Sequence, residues 1–260
     1  MKMNDYVYLY DGSFWDLMNL IEYLLQNKIK PLDIKSETFY QSNLIDETRK
    51  PILDGIKDPI QKIMKNISKM AFHTVYYVYL SEDKNKELII YYYLLNGYKY
   101  GAKISYLRNL KCVNKALGIE HYVGRENHKL KGFLRFRELK NQVLYAEISP
   151  ENNILSLLSK HFVARLKEEN WLIKDVKRNL ISIYNKKDYC IVDGAEFKFI
   201  NFELNDQELE FERLWKLFYK TIAIEERKNL KCQRNFMPKK YWKYILEVSE
   251  ETNEKSNKWN

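Results

Sequence analysis

A change of hydrophobic period constrains this chain most. Between residues 50 and 127 the apolar positions recur at helical spacing, as in Ile60, Ile63, Met64, Ile67 and Met70. Further on they alternate, in Phe133 to Arg137 and again in Val143 to Ile148. Recurrence at three and four residues builds one stripe on a helix, whereas alternation builds one face of a strand. A chain carrying both patterns in separate blocks is expected to fold as α+β.

The opening is expected to be β-α-β. Tyr6 to Tyr10 alternates, Asp11-Gly12 turns, and Ser13 with Asp16 three residues on has a capping-box arrangement. Phe14, Leu17, Leu20, Ile21, Leu24 and Leu25 follow helical spacing, Pro31 closes that helix, and Leu32 to Phe39 is a second strand candidate. In the middle segment Met70 to Leu80 and Glu87 to Leu95 read as helices around the charged turn Ser81 to Lys86. Leu110 to His128 reads as a further helix that Gly118 could break. Then follow a hairpin (Phe133 to Arg137 with Val143 to Ile148), a helix over Asn152 to Glu168, and strands at Trp171 to Val176, Leu180 to Tyr184 and Tyr189 to Asp193. Asn205 with Glu208 is expected to cap a long helix to about Asn229, with Leu209, Phe211, Leu214, Trp215, Phe218 and Ile222 on its apolar side. Tyr241 to Val248 is expected to be a last short helix.

No composition shift divides the chain. The expectation is one α+β domain over 1–248 with a helical insertion at about 50–127, whose opening strands could join the later sheet. A polar tail over 249–260 is expected to be disordered.

The net charge of +9 over 260 residues suits a polyanionic partner, because cations that neutralise phosphates release counterions. It also suits a chain merely rich in Lys, Asn, Ile and Tyr. Cys112, Cys190 and Cys232 lie far apart with no CxxC pair, which fits a reducing cytosol and leaves no cysteine set for an iron–sulfur cluster. No signal peptide or run of membrane-spanning length is visible, so a cytoplasmic location is expected. His73, His121, His128 and His161 show no metal-ligand spacing, and no phosphate-loop or nucleophile-elbow motif occurs; no metal or cofactor is expected.

Several side chains do not suit a plain core. On the first hairpin strand Leu134 and Phe136 share one face, and Phe133, Arg135 and Arg137 the other. In the partner strand Leu144, Ala146 and Ile148 are the apolar set, opposed by Val143, Tyr145 and Glu147. A face of Phe, Arg, Arg, Tyr and Glu suits nucleic acid, with rings on bases and guanidinium groups on phosphates; a solvated face with Arg–Glu pairs would look the same. On the helix from Asn152, Leu155, Leu158 and Phe162 define the buried side. Arg165 falls in that arc and His161 at its edge, one turn apart and able to face an anion. The same arginine could instead turn outward in the last helical turn. Asp175 and Arg178 end a strand and enter a turn, where a local ion pair is the plain alternative. Arg227, Lys228, Lys231, Arg234, Lys239 and Lys240 cluster with Tyr241 and Trp242 as a second basic–aromatic patch.

Taken together, many segments carry a resemblance. They are Tyr10-Asp11-Gly12-Ser13-Phe14, Glu126-x-His128, Gly132-Phe133-Leu134-Arg135-Phe136, Leu144-Tyr145-Ala146 to Ile148-x-Pro150, and Leu157-Leu158-x-x-His161-Phe162-x-x-Arg165. Further on come Trp171-x-Ile173-x-Asp175-x-Lys177-Arg178, Leu214-Trp215-Lys216, Ile222-Ala223-Ile224-x-x-Arg227-x-Asn229, Met237-Pro238 and Tyr241-Trp242. From Tyr10 to Glu247 the chain resembles the "probable DNA metabolism protein" family, domain of unknown function 4130. It departs after Asn229, where Leu230 stands in place of a common Pro. The resemblance implies a bacterial DNA repair or modification setting, with a radical-SAM protein encoded alongside. It also implies uracil-DNA-glycosylase-like domains fused to a similar domain in other members.

Three functions are therefore carried forward. The first is a nucleic-acid-binding accessory protein whose radical-SAM partner supplies the chemistry. In it Arg135, Arg137, Arg165, Arg178 and Arg227 hold phosphates of single- or double-stranded DNA, and Tyr145 or Trp242 stacks on a base. The second is an enzyme acting on DNA or a nucleotide, with His128 or His161 as general acid or base and Asp175 orienting it. The third is a protein–protein adaptor without DNA contact.

Overall fold

The computed structural model describes residues 2–3, 6–38, 40, 47–51, 53, 58–197 and 202–247. The end of the Leu32–Phe39 strand candidate, Val248 and the 249–260 tail lie outside these. The chain is α+β and divides into two compact units, Met1–Gly124 and Arg125–Asn260.

The first unit holds β1 (Lys2–Met3), β2 (Tyr6–Tyr10), α1 (Phe14–Gln26), β3 (Ile29–Lys30), β4 (Asp33–Ser36), β5 (Glu47–Arg49), α2 (Pro59–Asn66), α3 (Lys69–Leu80) and α4 (Lys86–Tyr100). Its strands β4-β2-β5 are parallel and form their own sheet, while β1 pairs with β3; the opening strands do not join the later sheet. The β2–α1 turn is tightly specified. The Ser13 hydroxyl accepts the Asp16 N–H at 3.1 Å, and the Asp16 carboxylate accepts the Asp11 N–H at 2.8 Å rather than that of Ser13. Gly12 has φ +96°, and a Cβ there would lie 2.8 Å from the Ser36 hydroxyl. Leu17, Leu20, Ile21 and Leu24 of α1 pack with Ile63, Val75, Val78, Ile90 and Leu94 in one core. The run Leu88 to Tyr93 is helical, and Ile89, Ile90, Tyr91 and Tyr93 are buried in that core.

Helix α5 (Lys111–Phe133) is continuous through Gly118, and its last part belongs to the second unit. It overruns the expected strand. Leu130 and Leu134, one turn apart, are both buried, and the Leu134 N–H still donates to the Leu130 carbonyl at 2.9 Å. Helical burial thus wins over local alternation, and the hairpin strand shrinks to β6 (Arg137–Glu138). With β7 (Leu144–Ile148), β8 (Asn170–Asp175), β9 (Leu180–Asn185) and β10 (Tyr189–Asp193) it makes a five-stranded sheet, ordered β10-β9-β8-β7-β6. Helix α6 (Leu155–Arg165) joins β7 to β8, which run parallel in register Ile148↔Asp175; the remaining pairs are antiparallel.

This sheet is covered on both faces. Under α6, Leu158 and Phe162 are buried with Trp171, and Phe136 lies edge-on to Phe162 at 5.1 Å. On the other face Leu139, Tyr145, Leu172 and Ile181 form a second small core, closed by Phe202 and Leu204. The face expected to be solvated on β7 is therefore interior. Helix α7 (Asp206–Ile222) is capped by Asn205 but stops at Ile222, because Ala223 turns extended (φ −65°, ψ 128°). A short α8 (Leu230–Phe236) follows, capped by Asn229, and the expected Tyr241–Val248 helix is a 3₁₀ turn over Lys239–Tyr244.

Candidate functional site

In the second unit a buried polar clamp holds the turn Pro150–Asn152 between β7 and α6. From α5, the Glu126 carboxylate accepts the backbone N–H groups of Glu151 and Asn152, both at 2.9 Å, and the Asn152 side-chain amide at 2.7 Å. From the turn after β8, the Arg178 guanidinium donates to the Pro150 carbonyl (3.3 Å) and to the Glu151 carbonyl, while Lys177 donates to the latter at 3.0 Å. From the C-terminal 3₁₀ turn, Lys240 reaches the carboxylates of Glu126 (3.2 Å) and Glu151 (2.8 Å), and the Tyr241 hydroxyl donates to Glu126 at 3.0 Å. Burial pushes the Glu126 carboxyl up, but the N–H donors of Asn152 and Glu151 and the Lys240 ammonium outweigh it. The group is held below the usual carboxylate range.

Asp175 belongs to the same clamp. It is fully buried at the end of β8 and pairs with Arg178 at 2.9 Å. Its other oxygen accepts the N–H groups of Lys177 and Arg178 at 3.0 and 3.3 Å. Both of its oxygens are thus engaged in shaping the β8–β9 turn, and neither meets a histidine.

A second constellation joins α5 to α6. His161 is half-buried, and its Nε2 is buried without a hydrogen-bond partner among the described residues. Burial, and then the charges of Lys131 and Arg165, hold its imidazole below the usual value. Lys131 lies in the last turn of α5, one turn after His128, and Arg165 ends α6. Neither cation has an ion-pair partner among the described residues. Arg165 is exposed rather than buried, because the core beneath α6 ends at Phe162 and the helix terminates there. The charges of Lys131 and Arg165 thus both act on an imidazole whose Nε2 is buried and unpartnered among the described residues. Two cations without acidic partners among the described residues, acting on one place, attract an anion.

The other candidates fall elsewhere. His128 is exposed on α5. Arg135, beyond the helix end, donates to the Gly132 carbonyl at 2.7 Å and lies 3.7 Å from the Glu247 carboxylate. Arg137 on β6 lies 3.9 Å from Glu212 of α7. Arg178 is absorbed by the clamp. Arg227 is exposed in the 3₁₀ turn Glu225–Arg227. The Tyr145 ring is buried against Phe202 at 4.7 Å, its hydroxyl donating to Glu147 at 2.7 Å. The buried Trp242 donates to the Met237 carbonyl at 2.8 Å. As placed, neither ring is open to a base. In the basic C-terminal stretch the open ring is Phe236, 76% exposed, beside exposed Lys231 and Arg234.

Sequence reasoning singled out His161 and Arg165 but not Lys131, whose proximity comes only with the fold. It also passed over Glu126 and Asn152, although an acid among the bases of α5 was a signal. Among the described residues no three His, Cys, Asp or Glu side chains are grouped to hold a metal ion, and no helix is long and apolar enough to cross a membrane.

A family model, described as a domain of unknown function (DUF4130), matches residues 84–247. It takes in every motif from Glu126 to Trp242 quoted for the resemblance and leaves Tyr10–Phe14 outside. Among the curated proteins none matches.

Proposed function

Given that the chain belongs to the DUF4130 family, we propose that it is a cytoplasmic nucleic-acid-binding accessory protein of a bacterial DNA repair or modification system. A radical-SAM partner supplies the chemistry. The observation that supports this reading is that the charges of Lys131 and Arg165, which have no ion-pair partner among the described residues, both act on His161. A backbone phosphate suits this site, because the two cations neutralise it. Arg227, Lys231 and Arg234 extend the phosphate contacts, and Phe236 takes the stacking role that Tyr145 and Trp242 cannot fill. The enzymatic alternative needs Asp175 to orient a histidine, and Asp175 is occupied by Arg178 and two backbone donors.

The test is fluorescence anisotropy with labelled single-stranded and duplex oligonucleotides across a salt series. Affinity should fall linearly on a log–log plot, with a slope of about −0.7 to −0.9 per phosphate neutralised. Negligible binding of both DNA forms at low salt would sink the reading.

A further inference from the structure

Helix α7 lies on the protein with its hydrophobicity reversed. At helical spacing Phe211, Leu214, Trp215, Phe218 and Ile222 fall within an arc of about 100°, the width of an ordinary core-facing stripe. In a globular domain that stripe should be covered. Here every member is exposed, Phe211 by 58% and Phe218 by 53%. The half-buried residues of the helix are instead Glu208, Glu212 and Lys216, one turn apart on another side. Glu212 shows where this side rests, since its carboxylate meets Arg137 of β6. The polar stripe thus faces the body and the apolar stripe faces away from it.

We infer that this apolar stripe of α7 is the two-fold interface of a homodimer, packed antiparallel against the same helix of a second copy. Two observations select a second copy as the occupant. The first is area. With about 200 Å² for each large side chain when fully open, the five stripe residues expose about 500 Å² per protomer. A two-fold contact buries about twice that, about 1,000 Å², the size a biological interface has to reach. The second is the order of residues along the stripe, which reads equivalently from either end. In an antiparallel pair Phe211 meets the partner's Ile222, and Trp215 meets the partner's Phe218. Each pair matches an aromatic ring with another large apolar group, and each contact recurs in reverse, as isologous packing requires. Within one chain Trp215 and Phe218 already contact at 5.8 Å, forming the aromatic centre that carries most of the energy in such contacts. A membrane surface is a poorer match, because Asp206, Glu208 and Glu210 crowd the first turns of the helix and repel anionic lipid.

Sedimentation velocity of the full chain tests this over about 1 to 100 μM, a range suited to a contact of this size. The wild type should show a reversible monomer–dimer equilibrium. Phe218→Glu and Trp215→Lys should each weaken it at least about tenfold, with circular dichroism unchanged because both side chains face outward. In a background with the three native cysteines replaced by serine, chains carrying Phe211→Cys mixed with chains carrying Ile222→Cys should form the mixed disulfide in preference to either self-pair. A wild type that stays monomeric overturns the inference. So does a dimer indifferent to both substitutions, preferential self-pairing, or monomeric binding to phosphatidylcholine–phosphatidylglycerol vesicles that Phe218→Glu abolishes.

Discussion

Asn152 gives both its backbone N–H and its side-chain amide to the same oxygen of Glu126, at 2.9 and 2.7 Å. A buried carboxylate receiving this many donors organises a turn rather than a reaction. Replacing Glu126 by Ala should leave the Glu151 and Asn152 donors and the Tyr241 hydroxyl unmatched, while Lys240 keeps Glu151. The expected cost is on the order of 3 kcal/mol or more, read as a lower denaturation midpoint. The sign with pH follows from the depressed pKa. The stabilisation is present above the unfolded carboxylate value and is lost as pH falls through the lower folded one. Glu126→Gln should therefore flatten the acid limb of the stability profile; an unchanged limb would show that Glu126 does not carry it.

The Asp175–Arg178 pair makes a related prediction with a different control. Asp175 is fully buried, so Asp175→Ala leaves the guanidinium unpaired and should destabilise by about 3–5 kcal/mol. Arg178→Ala should also lower the thermal midpoint. Neither should alter the salt dependence of DNA binding in the folded protein. A shallower salt slope for Arg178→Ala would return that arginine to the phosphate contacts.

Lys131 and Arg165 should behave in the opposite way. Each is exposed enough to be removed without a core penalty, so Lys131→Ala and Arg165→Ala should leave unfolding within about 0.5 kcal/mol of wild type. Each should reduce the magnitude of the log–log salt slope by about 1 and weaken all sequences alike. Stability loss with an unchanged slope would make them structural residues.

Phe236→Ala should weaken single-stranded DNA binding by about 1–3 kcal/mol through lost stacking. Its ring is 76% exposed, so folding should not suffer. Equal affinity of variant and wild type in anisotropy would remove the ring from the interface.

What could be read ahead of the fold was local. The Ser13 cap, the Leu155–Leu158–Phe162 stripe and the strands from Trp171 to Asp193 rest on neighbours within a few residues, and they stand as expected. The strand at Phe133 failed because Leu130 and Leu134 continue a helical burial pattern that alternation over so few residues cannot override. Tyr145 was misplaced because Phe202, more than fifty positions away, covers its ring. The influence of the Lys131 charge on His161 is likewise nonlocal. A stripe such as that of α7 is visible in sequence, but spacing alone does not tell whether it faces its own core or another chain.

His161 provides the pH-dependent test of the proposed anion site. Burial and the charges of Lys131 and Arg165 lower its pKa in the folded chain. As pH falls, the unfolded chain takes up this proton first. The contribution to stability is therefore fully present above the ordinary histidine value of about 6.5 and declines as pH falls through it, levelling below the folded value. A bound phosphate reverses the local field by neutralising Lys131 and Arg165. Oligonucleotide binding should then raise the His161 pKa and take up a proton, so affinity should increase as pH drops across that interval. Histidine ring resonances followed by NMR with and without oligonucleotide, assigned with His161→Gln, report the shift directly. A His161 titration that does not move upward on binding would place the phosphate elsewhere.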